Sequence, residues 1–128
     1  MEDRYLFKAK QLDNEEWVVG SLISMPHGGY MIDRVADSRR FRVMINPSTI
    51  CQCTGLKDKK GKLIWENDII RTKVGTAKVI WDKSEWRIEW LKNDLWRKDL
   101  YYWAVEDIQR VVVIGNKFDN PELLESEG

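Results

Sequence analysis

Apolar and polar side chains alternate with a period of two along much of this chain, which is the mark of β-strands that bury one face. Tyr5, Phe7 and Ala9 alternate with Leu6, Lys8 and Lys10, Asp13-Asn14-Glu15-Glu16 interrupts them, and residues 17–23 read as a second strand. The two predict a hairpin. Met25-Pro26-His27-Gly28-Gly29 carries loop chemistry, because proline has no N–H for a ladder and paired glycines favour a turn. Further strands are predicted at 30–35 and 41–45 and, beyond the break at Asn46-Pro47-Ser48-Thr49, at 50–54.

Residues 76–91 give the sharpest local prediction. Ala77, Val79 and Trp81 share one strand face, Trp86, Ile88 and Trp90 share the next, and Asp82-Lys83-Ser84-Glu85 forms a four-residue turn. Pairing Trp81 with Trp86 then sets Val79 opposite Ile88 and Ala77 opposite Trp90, a register in which each good pair contributes about 0.2–1 kcal/mol over Ala–Ala. The 95–102 segment is ambiguous: Leu91, Leu95, Trp96 and Trp103 fit helical spacing, while Leu100-Tyr101-Tyr102-Trp103 is aromatic enough for a strand. Residues 111–114 suit a buried strand bounded by Gly115-Asn116. Asn120 and Pro121 form an N-cap and first-position pair, predicting a short helix through about Ser126.

Two longer segments carry a family signature. Thr54-Gly55-Leu56-Lys57-Asp58-Lys59-Lys60-Gly61-Lys62-Leu63-Ile64-Trp65-Glu66-Asn67-Asp68-Ile69-Ile70 sets a charged, glycine-bearing turn between two apolar strands, and Val113-Ile114-Gly115-Asn116-Lys117-Phe118-Asp119-Asn120-Pro121-Glu122-Leu123-Leu124 follows near the C-terminus. Together they resemble the YopX family of phage and prophage proteins. Cys53 stands where an aromatic is commoner, Asn67 and Glu15 where glycine is usual, and Lys117 where an apolar residue is usual. The resemblance implies a mainly β, compact YopX-like fold with antiparallel hairpins and a short C-terminal helix. Asn67-Asp68-Ile69-Ile70 through Gly75-Thr76-Ala77-Lys78-Val79-Ile80-Trp81 resembles the generic Gly-Asp-x-Val … Gly-x-Val pattern that opens SH3-like barrels, which adds the expectation of an SH3-like, partly open β-barrel. The chain would be a single domain over 1–128: hairpins over 1–53, the barrel portion over 54–118, and a terminal turn or helix over 119–128. Gly55, Asp58, Gly61, Asn67, Asp68, Gly115, Asn116 and Pro121 are then structural motif positions. The implied setting is a phage, prophage or mobile-element protein in a bacterial cytoplasm, and the resemblance carries over no catalytic set.

Composition narrows the classes. A chain of 128 residues, 43% hydrophobic and 33% charged, fits one soluble globular domain. No apolar run approaches the ~18 residues of a membrane helix, and Met1-Glu2-Asp3-Arg4 is not a signal-peptide start, so the expected address is cytoplasmic, with no membrane partner. The formal net charge is +0, which removes any global field for a polyanion while permitting local patches. Cys51 and Cys53 share a strand face, cannot close an unstrained disulfide, and have only His27 as a further soft ligand, so they read as small buried or half-buried thiols.

The chemistry-bearing candidates are weighed in turn. The 55–62 segment imitates a phosphate-binding loop, but its spacing is off by one and Leu63 stands where the magnesium-ligating hydroxyl belongs. It reads better as a lysine-rich hairpin turn organised by Asp58, with Gly61 at positive φ. Glu66 and Asp68 are close carboxylates, the raw material of acid–base catalysis. The favoured reading has Asp68 bonding backbone amides beside an Asn67 at positive φ. His27 sits in a solvated loop. Seven tryptophans could be base-stacking platforms interleaved with Arg71, Lys73, Lys78, Arg87 and Lys92, but strand alternation over 77–90 accounts for three of them as packing. The expected function is therefore a noncatalytic binding module for a host or phage protein or a nucleic acid, contacted through Lys57, Lys59, Lys60 and Lys62. No cofactor, metal or catalytic residue is assigned, and self-association fits as well. The alternative is a small enzyme using Glu66 and Asp68.

Overall fold

A computed structural model describes residues 3–36, 38–92, 97–106 and 111–125. The chain is mainly antiparallel β, as its period-two patterning requires, and it divides into two compact units, Met1–Cys53 and Thr54–Gly128. None of the described helices is long and apolar enough to cross a membrane.

The first unit contains β1 (Phe7–Lys10), β2 (Trp17–Ser24), β3 (Tyr30–Ala36), β4 (Arg39–Ile45) and the start of β5 (Cys51–Lys57). The strands are hydrogen-bonded in the order β4-β3-β2-β1-β5, with Phe7 opposite both Gly20 and Gln52, Ser21 opposite Asp33, and Arg34 opposite Phe41. Beyond β1, Leu12 donates to the Met44 carbonyl (3.1 Å) and Asn46 donates to the Lys10 carbonyl (2.9 Å), so the end of β4 lies alongside the continuation of β1. Ala9, Val18, Ile32 and Ile45 form the core of this unit.

Several predicted edges move. Tyr5 belongs to a 3-10 turn, Asp3–Tyr5, instead of to β1, and is well exposed with the Arg4 guanidinium over its ring at 5.0 Å. Glu15 keeps the left-handed backbone (φ 60°) that the usual glycine would adopt. β4 starts two residues earlier than its apolar pattern suggests, because the arginines at its start pair with β3 as regularly as the apolar positions do. β5 runs three residues past Thr54, through Gly55 at φ 82°.

In the second unit β5 pairs with β6 (Leu63–Trp65), and a four-stranded sheet follows the order β10-β7-β8-β9. Its strands are β7 (Asp68–Thr72), β8 (Gly75–Asp82), β9 (Glu85–Trp90) and β10 (Val112–Asn116). Trp81 faces Trp86, Val79 faces Ile88 and Ala77 faces Trp90, as the alternation predicts. Lys83 and Ser84 connect them at φ 53° and 62°, the mirror-image turn whose twist matches that of the strands. Ile64, Ile70, Val79, Ile88, Leu100 and Trp103 dominate this core.

Residues 100–106 are helical, ending in a π turn (Tyr102–Glu106). Leu100 and Trp103, three apart, both enter the core, which selects the helical alternative there; Leu95 and Trp96 lie outside the described residues. β10 continues two residues beyond the predicted strand end, with a register shift between Val113 and Gly115. The terminal helix α1 is a single turn, Glu122–Glu125, and Ser126 lies outside the described residues.

Candidate functional site

The strongest local construction is the turn between β5 and β6. Asp58 donates its backbone N–H to Lys62 O (2.8 Å), and Gly61 N–H closes back on Asp58 O (3.0 Å) with φ 82°. The Asp58 carboxylate is buried. Its Oδ1 accepts the backbone N–H groups of Lys60 and Lys62, each at 2.9 Å, while Oδ2 accepts that of Val113 at 3.0 Å. Burial alone would raise the pKa of this carboxyl. The three N–H donors and the Lys62 charge outweigh that cost and hold it below the ordinary value. Lys59 N–H adds a further bond to Val111 O (2.9 Å), so the turn is pinned to β10 as well as closed on itself.

Lys57, Lys59, Lys60 and Lys62 are all exposed on this fixed backbone. Hydrogen bonds of the turn hold their backbone positions together. The arrangement is a compact cationic projection suited to carboxylate or phosphate oxygens, and it lacks the helix that a phosphate-binding loop would need.

The remaining motif residues make hydrogen bonds and close contacts within the second unit. Asn67 has φ 71°, donates its N–H to Val79 O (2.9 Å) and accepts from Lys117 N–H (3.0 Å). Asp68 is 2% exposed, and its Oδ2 accepts the Trp65 N–H at 2.8 Å, so this carboxylate bonds backbone as expected. Glu66 is half-buried beside it. Asn116 Oδ1 accepts from both Phe118 and Asp119 N–H groups (2.9 Å each). Asn120 Oδ1 bonds upstream to Asn116 N–H (3.2 Å), where the sequence suggests a cap on the helix downstream. Gly115 is required by close approach: an added Cβ would lie 2.5 Å from Asn120 Oδ1. Pro121 O accepts from Leu124 N–H (3.1 Å) to close the terminal turn. The two signature segments therefore meet within the second unit, through Asp58 with Val113, Asn67 with Lys117, and Asp68 opposite Asn116.

The family pattern described as YopX protein matches residues 6–125. The chain belongs to the YopX family. Its fold is similar to the crystal structure of protein EF1440 from Enterococcus faecalis, with a TM-score of 0.57 at 19% identity, covering 92% of this chain and 96% of that one. No curated protein matches it.

The other candidates of this YopX-family chain fall outside the turn. His27 is exposed in the β2–β3 loop. Cys51 and Cys53 are buried thiols outside any disulfide, and among the described residues no group of three or more His, Cys, Asp or Glu side chains is arranged to hold a metal ion. Trp65, Trp90 and Trp103 are buried, and the indole N–H groups of Trp90 and Trp103 converge on the Arg97 carbonyl at 3.1 and 3.2 Å. Trp81 is 55% exposed and meets Trp86 edge to face at 5.0 Å. On the opposite strand face, Lys78 pairs with Glu89 and Arg87 with Glu85, giving a mixed surface. Sequence reasoning missed the backbone groups of Val111 and Val113, which carry no side-chain signal yet complete the anchoring of the lysine turn.

Proposed function

We propose that this YopX-family protein is a noncatalytic binding module that engages an anionic surface of a host or phage protein, or nucleic-acid phosphate, through Lys57, Lys59, Lys60 and Lys62. One observation carries the reading: four exposed lysines stand on a turn whose backbone is held by a buried carboxylate. Pre-organising the turn reduces the ordering cost of binding, and the local charge supplies an attraction that the neutral chain as a whole lacks. The setting proposed with it is a phage, prophage or mobile-element protein in the bacterial cytoplasm.

The accompanying fold reading is an SH3-like, partly open barrel over 54–118. In its support, the meander β7-β8-β9 is followed by a short helical segment and the return strand β10, antiparallel to β7. The first unit follows the same plan, with the meander β1 to β4, the 3-10 turn Pro47–Thr49 and the return strand β5 antiparallel to β1.

Affinity capture from phage-bearing cells, with and without nuclease, tests the function when run with wild type and Lys59→Gln/Lys60→Gln. A partner depleted by the double variant supports it, and nuclease sensitivity identifies nucleic acid. Turnover of a defined substrate that Asp68→Asn abolishes in a still-folded protein would replace the binding reading with the enzymatic one.

A further inference from the structure

The β3–β4 hairpin of the first unit carries four arginines and no lysine between residues 34 and 42, and Arg34, Arg39, Arg40 and Arg42 are all exposed. Strand pairing sorts them by face. Arg34 lies directly opposite Phe41, and Arg39 lies two residues from Phe41 on the same strand, so those three share one face. Phe41 is 42% exposed. Ile32 and Val43, further along the same face of the hairpin, belong to the core of this unit.

On the other face Asp33 holds the remaining two arginines. Arg40 donates Nη2–H to Asp33 Oδ2 at 2.7 Å and Nε–H to both carboxylate oxygens at 3.1 Å, and Arg42 Nε lies 3.8 Å from Asp33 Oδ1. These guanidiniums keep side-chain exposures of 63% and 53%, so they are oriented without being covered. Beside them is a concavity of about 450 Å³ lined by Val19, Ser21, Asp33, Arg34 and Arg40 among others, within the size range of small-molecule sites.

We propose that this ribbon binds single-stranded nucleic acid, with Phe41 as a stacking platform for an unpaired base and with Arg34, across the hairpin from it, and Arg39, along its own strand, as phosphate ligands. The combination decides the partner class. Arginine forks suit phosphate oxygens bidentately, and Arg34 and Arg39 are diagonal neighbours across the hairpin, about 7–8 Å apart, comparable to the step between phosphates of an extended strand. An exposed aromatic among those cations offers a stacking face to an unpaired base, whereas a duplex keeps its bases stacked away from it. A single strand uses both groups. Asp33 sets the orientation of Arg40 and Arg42 and limits the net charge of the ribbon. The proposal rests on a different unit from the lysine turn and does not require that reading.

Fluorescence anisotropy with labelled oligo-dT and oligo-U probes of about 15 nucleotides, and a duplex of equal length, tests it on the full chain. Both single strands are expected to bind more tightly than the duplex. Phe41→Ala is expected to weaken single-strand binding about 5- to 140-fold, with Phe41→Trp restoring it. Arg34→Gln/Arg39→Gln is expected to lower the slope of log affinity against log salt by about 1.4. Asp33→Asn is expected to tighten binding by releasing two guanidiniums. Circular dichroism confirms folding of each variant, and the exposure of Phe41 makes its replacement structurally mild. Failure to bind any single strand, equal affinity for the duplex, or a folded Phe41→Ala with unchanged affinity would overturn the proposal.

Discussion

Asp58 accepts three backbone N–H groups from two segments far apart in sequence, and a carboxylate in that position has both a mechanical and a titratable role. Charge-assisted bonds are worth about 1.5–3 kcal/mol each before losses, and the donors would be orphaned if the carboxylate were removed. Asp58→Ala is therefore expected to destabilise by about 2–4 kcal/mol in urea unfolding, more than a typical surface change. The sign of its pH dependence follows from a folded pKa below the unfolded one. Its contribution is complete above the unfolded value near 3.8 and is lost as the pH falls through the lower folded value. Asp58→Asn should remove that part of the acid sensitivity while retaining some of the turn, as seen in unfolding free energy measured from pH 6 downward. Asn67 makes the opposite case. At φ 71° its Cβ carries a penalty that glycine does not, so Asn67→Gly is expected to be neutral or stabilising; a loss above about 1 kcal/mol would give the side chain a bonding role of its own.

The elements best anticipated by the sequence are those whose signals are local. The 76–91 hairpin shows its register because alternation on both strands and a four-residue turn leave one alignment that keeps Val79 and Ile88 inside. Its connection can be improved: Lys83 and Ser84 both occupy left-handed backbone, so Lys83→Asn/Ser84→Gly is expected to raise stability by about 0.5–1 kcal/mol in thermal unfolding without moving the Trp81–Trp86 pair. The turn chemistry of Asp58, Gly61 and Asn67 was legible for the same reason. What sequence could not show depends on distant partners. Leu100 and Trp103 become helical because the core takes both, a decision made by packing where local propensity was balanced. Asn120 has the composition of a cap, yet its Oδ1 serves Asn116 because Gly115 lets it approach. The anchoring of the lysine turn to Val113 spans 55 residues and uses a main-chain donor that any side chain would provide.

At the scale of the molecule, two β units share one neutral chain. Residues 1–64 carry a net +3 and residues 65–128 a net −3, so long-range steering is weak and recognition rests on local patches. The YopX signature then has a physical content: glycines, asparagines and aspartates in it fasten segments of the second unit to one another, while Lys57, Lys59, Lys60 and Lys62 face solvent. The most direct measurement is the salt dependence of affinity for two labelled anionic probes, a short DNA duplex and a polyglutamate peptide, with wild type and a folded Lys59→Gln/Lys60→Gln variant. Wild type is expected to bind at least one probe, with log affinity falling linearly against log salt. The variant should reduce the slope by about 0.9 for each duplex phosphate it no longer neutralises, or weaken the peptide complex mainly through its association rate. No affinity for either probe, or the same affinity and slope in the variant, would contradict a binding role for the lysine turn.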